Sequence, residues 1–322
     1  MCGSTIYYAL FGQYDKTEKL AQGTKEIKTL SKEGEESYFK KVSYYLLNQN
    51  ARTLELKASS LALSNENKKI ISFDPDGVIY RRDNSGKELL PIYFSAKNSR
   101  ADSAKREVVL QNEVKVISDN SQLFSDNMVI YDNGKILDAK GNVKTLSNDQ
   151  NTNDKILVNA EEAIYKPDTQ FFEYQKNVDG IVQRKRAYEE SLSFKTDKLT
   201  ISGLDKTATM TGNVAFKKDK LEAFSNNGSM YLENYNKKLK YYALSDDVRL
   251  QETLIIGNKQ VLRKAFAEKL EGFISDKRVV LTGFPKVFQG TDVIKGNRIT
   301  IRENIETVEV DDANTNISLE KN

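Results

Sequence analysis

The sequence predicts an all-β protein, and three observations carry that prediction. From about residue 53 onward, short apolar runs alternate residue by residue with polar ones, the period-2 pattern of half-buried strands. Helical periodicity is nearly absent over the same stretch. A polar or glycine-containing turn followed by a valine also recurs, at Asn112-Glu113-Val114, Gly141-Asn142-Val143, Lys176-Asn177-Val178, Gly212-Asn213-Val214, Asp246-Asp247-Val248 and Phe284-Pro285-Lys286-Val287. Successive valines lie about 29 to 39 residues apart, the spacing of stacked repeats.

Taken in order, residues 1–52 read as an N-terminal tether near an anchoring surface. Residues 12–52 are polar and rich in Lys and Glu, with Ser43-Tyr44-Tyr45-Leu46-Leu47 as their apolar cluster, a pattern that suits a linker with a short helix. Cys2 is either a lipidation site at the start of a mature lipoprotein or an incidental free thiol, and Thr5 to Phe11 could equally be the tail of a clipped membrane anchor. No stretch approaches the roughly 18 to 20 apolar residues of a membrane-spanning helix. Strands are then expected at Val108 to Val116, Lys135 to Thr145, Lys155 to Tyr165, Thr207 to Phe216, Leu239 to Leu250, Arg263 to Gly272, Val279 to Val287 and Asn297 to Val310. In the clearest of them Ala208, Met210, Val214 and Phe216 share one parity and Thr207, Thr209 and Thr211 the other, so one face is apolar and one wet. Asn226-Asn227-Gly228 reads as a turn between two short strands. The run Ser147 to Asp154 consists of turn-forming types and is the best boundary between a half at 53–150 and a half at 151–322. Units this small cannot cover their own apolar faces, so they should stack into an elongated body with open ends.

Composition narrows the function. The chain has 322 residues, a net charge of +3 and no His, which removes the usual general base, the usual partner of a nucleophilic Ser or Cys, and the commonest transition-metal ligand. The near balance of charge argues against nucleic acid as a partner. Asp246-Asp247 and Asp311-Asp312 read as turns rather than cation sites, and nothing sets Glu161-Glu162 or Glu189-Glu190 at the separation glycoside chemistry needs. Gly212-Asn213 and Gly296-Asn297 are not phosphate loops, because no helix pattern follows them. No cofactor and no catalytic residue is expected.

The stretches Thr207 to Phe216, Leu221 to Ser225 and Lys240 to Leu250 resemble the strand units of the OstA-like lipopolysaccharide-transport proteins of the LptA and LptC kind. Val279 to Phe288, Val293 to Ile301 and Val308 to Val310 resemble the closing strands of LptA, while Leu54 to Leu61 and Phe124 to Tyr131 look more like LptC. The resemblance implies a twisted, open β-jelly-roll made of an LptC-like half and an LptA-like half. It also implies a periplasmic, non-catalytic carrier held at the inner membrane by its N-terminus. Its partners would be lipopolysaccharide, the inner-membrane ABC transporter complex and the outer-membrane translocon, joined by strand addition, with end-to-end self-association.

Lipid A acyl chains would then lie against the inward parity of the strands. Those residues are Met210, Val214, Phe216, Leu221, Ala223, Met230 and Leu232, with Leu270, Ile274, Leu281, Ile299 and Ile301 in the C-terminal copies. Alternating apolar positions also make closed cores, so a structural β-repeat scaffold with no lipid ligand stays open as the alternative.

Overall fold

Alternation of apolar and polar residues dictates strands, and strands account for nearly all of the described residues in the computed structural model. It describes residues 5–7, 36–48, 51–64, 69–83, 85–102, 107–119, 121–148, 154–185, 191–233, 239–256, 259–303 and 308–311. The chain divides into two units, residues 1–147 with 161–168, and residues 148–160 with 169–322. Cys2 and most of Ser147 to Asp154 lie outside the described residues.

The first unit holds β1 (Thr5–Tyr7), β2 (Glu36–Asn48), β3 (Ala51–Ser64), β4 (Lys69–Phe73), β5 (Asp76–Arg82), β6 (Glu88–Ser95), β7 (Asn98–Asp102), β8 (Glu107–Ser118), β9 (Ser121–Tyr131) and β10 (Ile136–Asn148). The polar tether expected at 12–52 is corrected for its described part. Val42, Tyr44 and Leu46 are buried in β2, which pairs with β3 along its length, because these residues alternate with period 2 and not 3.6. One half of β3 pairs with β4 and the other with β5, β4 pairs with β7, β5 pairs with β6, and β6 and β7 rejoin on β8. Antiparallel β8, β9 and β10 complete the ladder.

After β11 (Lys155–Lys166), the second unit is a longer ladder of β12 (Phe171–Gln183), β13 (Leu192–Ser202), β14 (Thr207–Lys218), β15 (Leu221–Leu232), β16 (Leu239–Ile256) and β17 (Lys259–Phe273). Each pairs antiparallel with the next. The ladder then forks as in the first unit. β17 pairs at one end with β18 (Arg278–Thr282) and at the other with β19 (Lys286–Gln289). β19 continues to β20 (Asp292–Lys295), and β18 continues to β21 (Arg298–Arg302) and β22 (Val308–Asp311).

The recurring dipeptides expected to be turns are instead bends inside continuous strands. Asn112 and Glu113, Gly141 and Asn142, Lys176 and Asn177, Gly212 and Asn213, and Asp246 and Asp247 all have positive φ, and the pairing register slips beside each pair. Two residues oppose one across the ladder, which is a β-bulge, and a bulge bends the strand. Asn226-Asn227-Gly228 lies within β15 at the same level, and there the buried parity changes from Leu221, Ala223 and Ser225 to Gly228 and Met230. The valine after each bulge is the anchor: Val114, Val143, Val178, Val214 and Val248 are each 1% exposed.

Candidate functional site

Each bend is held by the strand beside it. Asn142 donates to Asp126 at 2.8 Å, Asn213 to Asp197 at 2.9 Å, and Asn226 to Asp246 at 3.2 Å. Buried hydroxyls brace the facing strand, with Ser125 donating to the Asn127 carbonyl at 2.9 Å and Ser225 to the Asn227 carbonyl at 2.8 Å. Glycine is required at Gly212, where φ is +81° and a Cβ would lie 2.3 Å from Asp197 Oδ2.

These bends fold the second unit's ladder back on itself. Tyr242 and Leu250 are eight residues apart on β16, roughly 26 Å on a straight strand. Phe216 sits in the cross-strand row of Ala223 and Leu250, yet its ring stacks on Tyr242 with centroids 4.4 Å apart. The two halves of β16 therefore face each other across an interior, hinged at Asp246 and Asp247.

The structure brings most of the candidate residues onto that interior. Met210, Val214, Phe216, Leu221, Ala223 and Met230 are 0–6% exposed, as are Leu270, Leu281, Ile299 and Ile301, while Leu232 and Ile274 sit half-buried at strand ends. Ala223, Leu250, Ala265 and Val287 form one row, and Met230, Tyr242, Gly272, Val279 and Ile301 form a facing one. Sequence reasoning missed Tyr242 and Phe194. Both rings lie flat on a cross-strand glycine, and a Cβ at Gly272 or Gly180 would lie 2.1 Å from the respective ring. An inward aromatic opposite a glycine on the neighbouring strand was the available signal.

Where the halves meet, the contacts turn ionic. Lys218, at the end of β14, pairs with Glu303, which follows β21, and their side chains are 10% and 6% exposed. In the same rim row Arg263 and Glu252 pair at 2.9 Å with 0% and 1% exposure, and Arg263 also donates to Gln289 at 2.8 Å. In the first unit Arg81 pairs with Asp168. There a small apolar cavity of about 30 Å³ remains, lined mainly by Leu46, Leu54, Ile79, Val108 and Ile130.

Bent antiparallel strands that enclose an apolar interior and fork into two branches of one sheet define the class as a β-jelly-roll-like protein. The sequence supplies the family. The model of the LptA/(LptD N-terminal domain) LPS transport proteins matches residues 93–187 and 194–307, and the chain belongs to that family. The resemblance read from its strands is thus one of membership. No curated protein matches the chain. Among solved structures it is similar to LptH, the LptA-homologous periplasmic component of the lipopolysaccharide transport device of Pseudomonas aeruginosa. That likeness has 15% identity and a TM-score of 0.34 and covers 38% of this chain and 82% of that one, which is too slight to carry any conclusion. Among the described residues no helix is long and apolar enough to cross a membrane.

Proposed function

We propose that the chain is a non-catalytic periplasmic carrier that shelters lipid A acyl chains between the two halves of its bent sheet during transport to the outer membrane. The observation that carries this reading is the interior lined by Met210, Val214, Phe216, Met230, Leu281 and Ile301, apolar on both facing sides. Acyl chains enter when the halves part about the bulges. A chain of a dozen methylenes gains roughly 10 kcal/mol on leaving water, enough to offset two or three displaced side chains. Giving up a packed aromatic such as Phe216 costs about 3–5 kcal/mol. Strand addition at β20 and β22, each paired on one side among the described residues, joins the carrier to inner-membrane and outer-membrane partners or to a second copy. The N-terminus holds the chain at the inner membrane, with residues 53–150 as the LptC-like half and 151–322 as the LptA-like half.

The second reading, a scaffold with a permanently closed core, draws on the Phe216 and Tyr242 stack, which packs the two halves against each other. Gel filtration separates the two. The carrier retains lipopolysaccharide and releases its acyl-free core oligosaccharide. Equal retention of both, or of neither, overturns the carrier reading.

A further inference from the structure

The pair at the rim of the second unit differs from its neighbour in one respect. Arg263 is satisfied on two sides by Glu252 and Gln289. Glu303 is not so well served: its Oε2 accepts from Lys218, while its Oε1 is buried with no hydrogen-bond partner among the described residues. A buried carboxylate oxygen left unpaired is costly, so Glu303 is a poor permanent partner. Lys218 is also two residues beyond Phe216 on the same inward parity, at the edge of the apolar interior. An acyl chain lying against Phe216 would bring its head group to the level of Lys218.

We propose that Lys218 is a head-group subsite for the phosphate of an acylated lipid, which Glu303 occupies when the unit is closed. This rests on the carrier reading and adds the part of the ligand that the apolar rows cannot recognise. The phosphate replaces the Glu303 carboxylate as the partner of Lys218, gaining three acceptor oxygens where Glu303 offered one, and the freed carboxylate turns to water. The exchange breaks the ion pair that ties β14 to the end of β21, so ligand binding and parting of the two halves are one event. Lys218 and Glu303 stand 85 positions apart, which is why no local pattern announces them.

The test compares binding of lipopolysaccharide, enzymatically dephosphorylated lipopolysaccharide and inorganic phosphate to the full chain and to Lys218→Met, Glu303→Gln and the double variant. The unaltered chain is expected to prefer the phosphorylated lipid by about tenfold. Lys218→Met should lose that preference while still binding the dephosphorylated lipid, and Glu303→Gln should bind the phosphorylated lipid more tightly. The double variant removes both charges and must behave as Lys218→Met does, which keeps the test valid if the single variant fails to fold. A preference that survives in the double variant, or weaker binding in Glu303→Gln, overturns the proposal. Competition by inorganic phosphate at lipid-like concentrations overturns the lipid as its source. Absence of binding by every lipid to the unaltered chain instead sinks the carrier reading.

Discussion

Both units bend their strands in the same two ways, and they differ in where along the chain each is used. In the second unit the bend sits inside unbroken strands, at Gly212 and Asn213 or Asp246 and Asp247, where left-handed residues keep the ladder running. In the first unit Asn112 and Glu113 do the same in β8 and Gly141 and Asn142 in β10, but nearer its start the chain breaks at the bend. β4 and β5 part at Asp74 and Pro75, with Asp74 at φ +46° and its amide donating to the Lys97 carbonyl at 2.8 Å. At its closing end the second unit uses the same device, Gly283, Phe284 and Pro285, with Phe284 at φ +52°. The bend is the common requirement, and a proline, which lacks an amide proton, meets it by ending one ladder and starting another. The interiors differ as well: the first retains a small apolar cavity, and the second packs the Phe216 ring on that of Tyr242.

Breaking the stack is the harshest test of that difference. Phe216→Ala is expected to destabilise the protein by about 3–5 kcal/mol, read as a lower urea midpoint, because Phe216 is 1% exposed and its ring has no room to be replaced. In the first unit Leu54→Ala, beside the existing cavity, should cost less, about 2–3 kcal/mol. Equal losses at both sites would remove the contrast.

The bends come next. Gly212 and Gly86 both have positive φ, but a Cβ at Gly86 meets nothing within 4 Å, whereas at Gly212 it meets Asp197. Gly86→Ala should cost about 1 kcal/mol from backbone strain alone, and Gly212→Ala about 2–4 kcal/mol from strain plus the clash. Asp197→Ala removes the 2.9 Å bond from Asn213 and should cost about 1 kcal/mol, while partly relieving Gly212→Ala in the double variant.

Much of this was legible in the sequence, for physical reasons. Alternation reports which face is buried, so Met210, Val214 and Phe216 and their partners were placed inward correctly. Gly-Asn before a valine reports left-handed backbone, but the same composition serves a hairpin turn and a mid-strand bulge. Only the ladder on both sides distinguishes them. The strand at Glu36–Asn48 was missed because Tyr44, Tyr45, Leu46 and Leu47 run together and hide the alternation of Val42, Tyr44 and Leu46. Nothing in the sequence singled out Lys218, because Glu303 lies 85 positions away and sequence pattern carries no information on such pairs.

The smallest expected effect lies on the outer face. There the hydrogen bond from Tyr241 at 2.6 Å, then Lys269 at 2.9 Å, holds the Glu271 carboxyl below the usual range. A lowered folded-state pKa contributes stability above the unfolded value, about 4.3, that is lost as pH falls through the folded one. Glu271→Gln should therefore show a smaller drop in urea midpoint between pH 7 and pH 3 than the unaltered chain. An unchanged drop would contradict the assignment.

Photo-crosslinking decides most directly whether lipid enters between the sheet halves. Phe216 and Phe224 are aromatic residues on neighbouring strands, 1% and 37% exposed, facing opposite sides of one sheet. A photoreactive residue at position 216 is expected to capture lipopolysaccharide and one at position 224 to capture little. Capture at 224 with none at 216 would place the lipid on the outer surface and contradict the account.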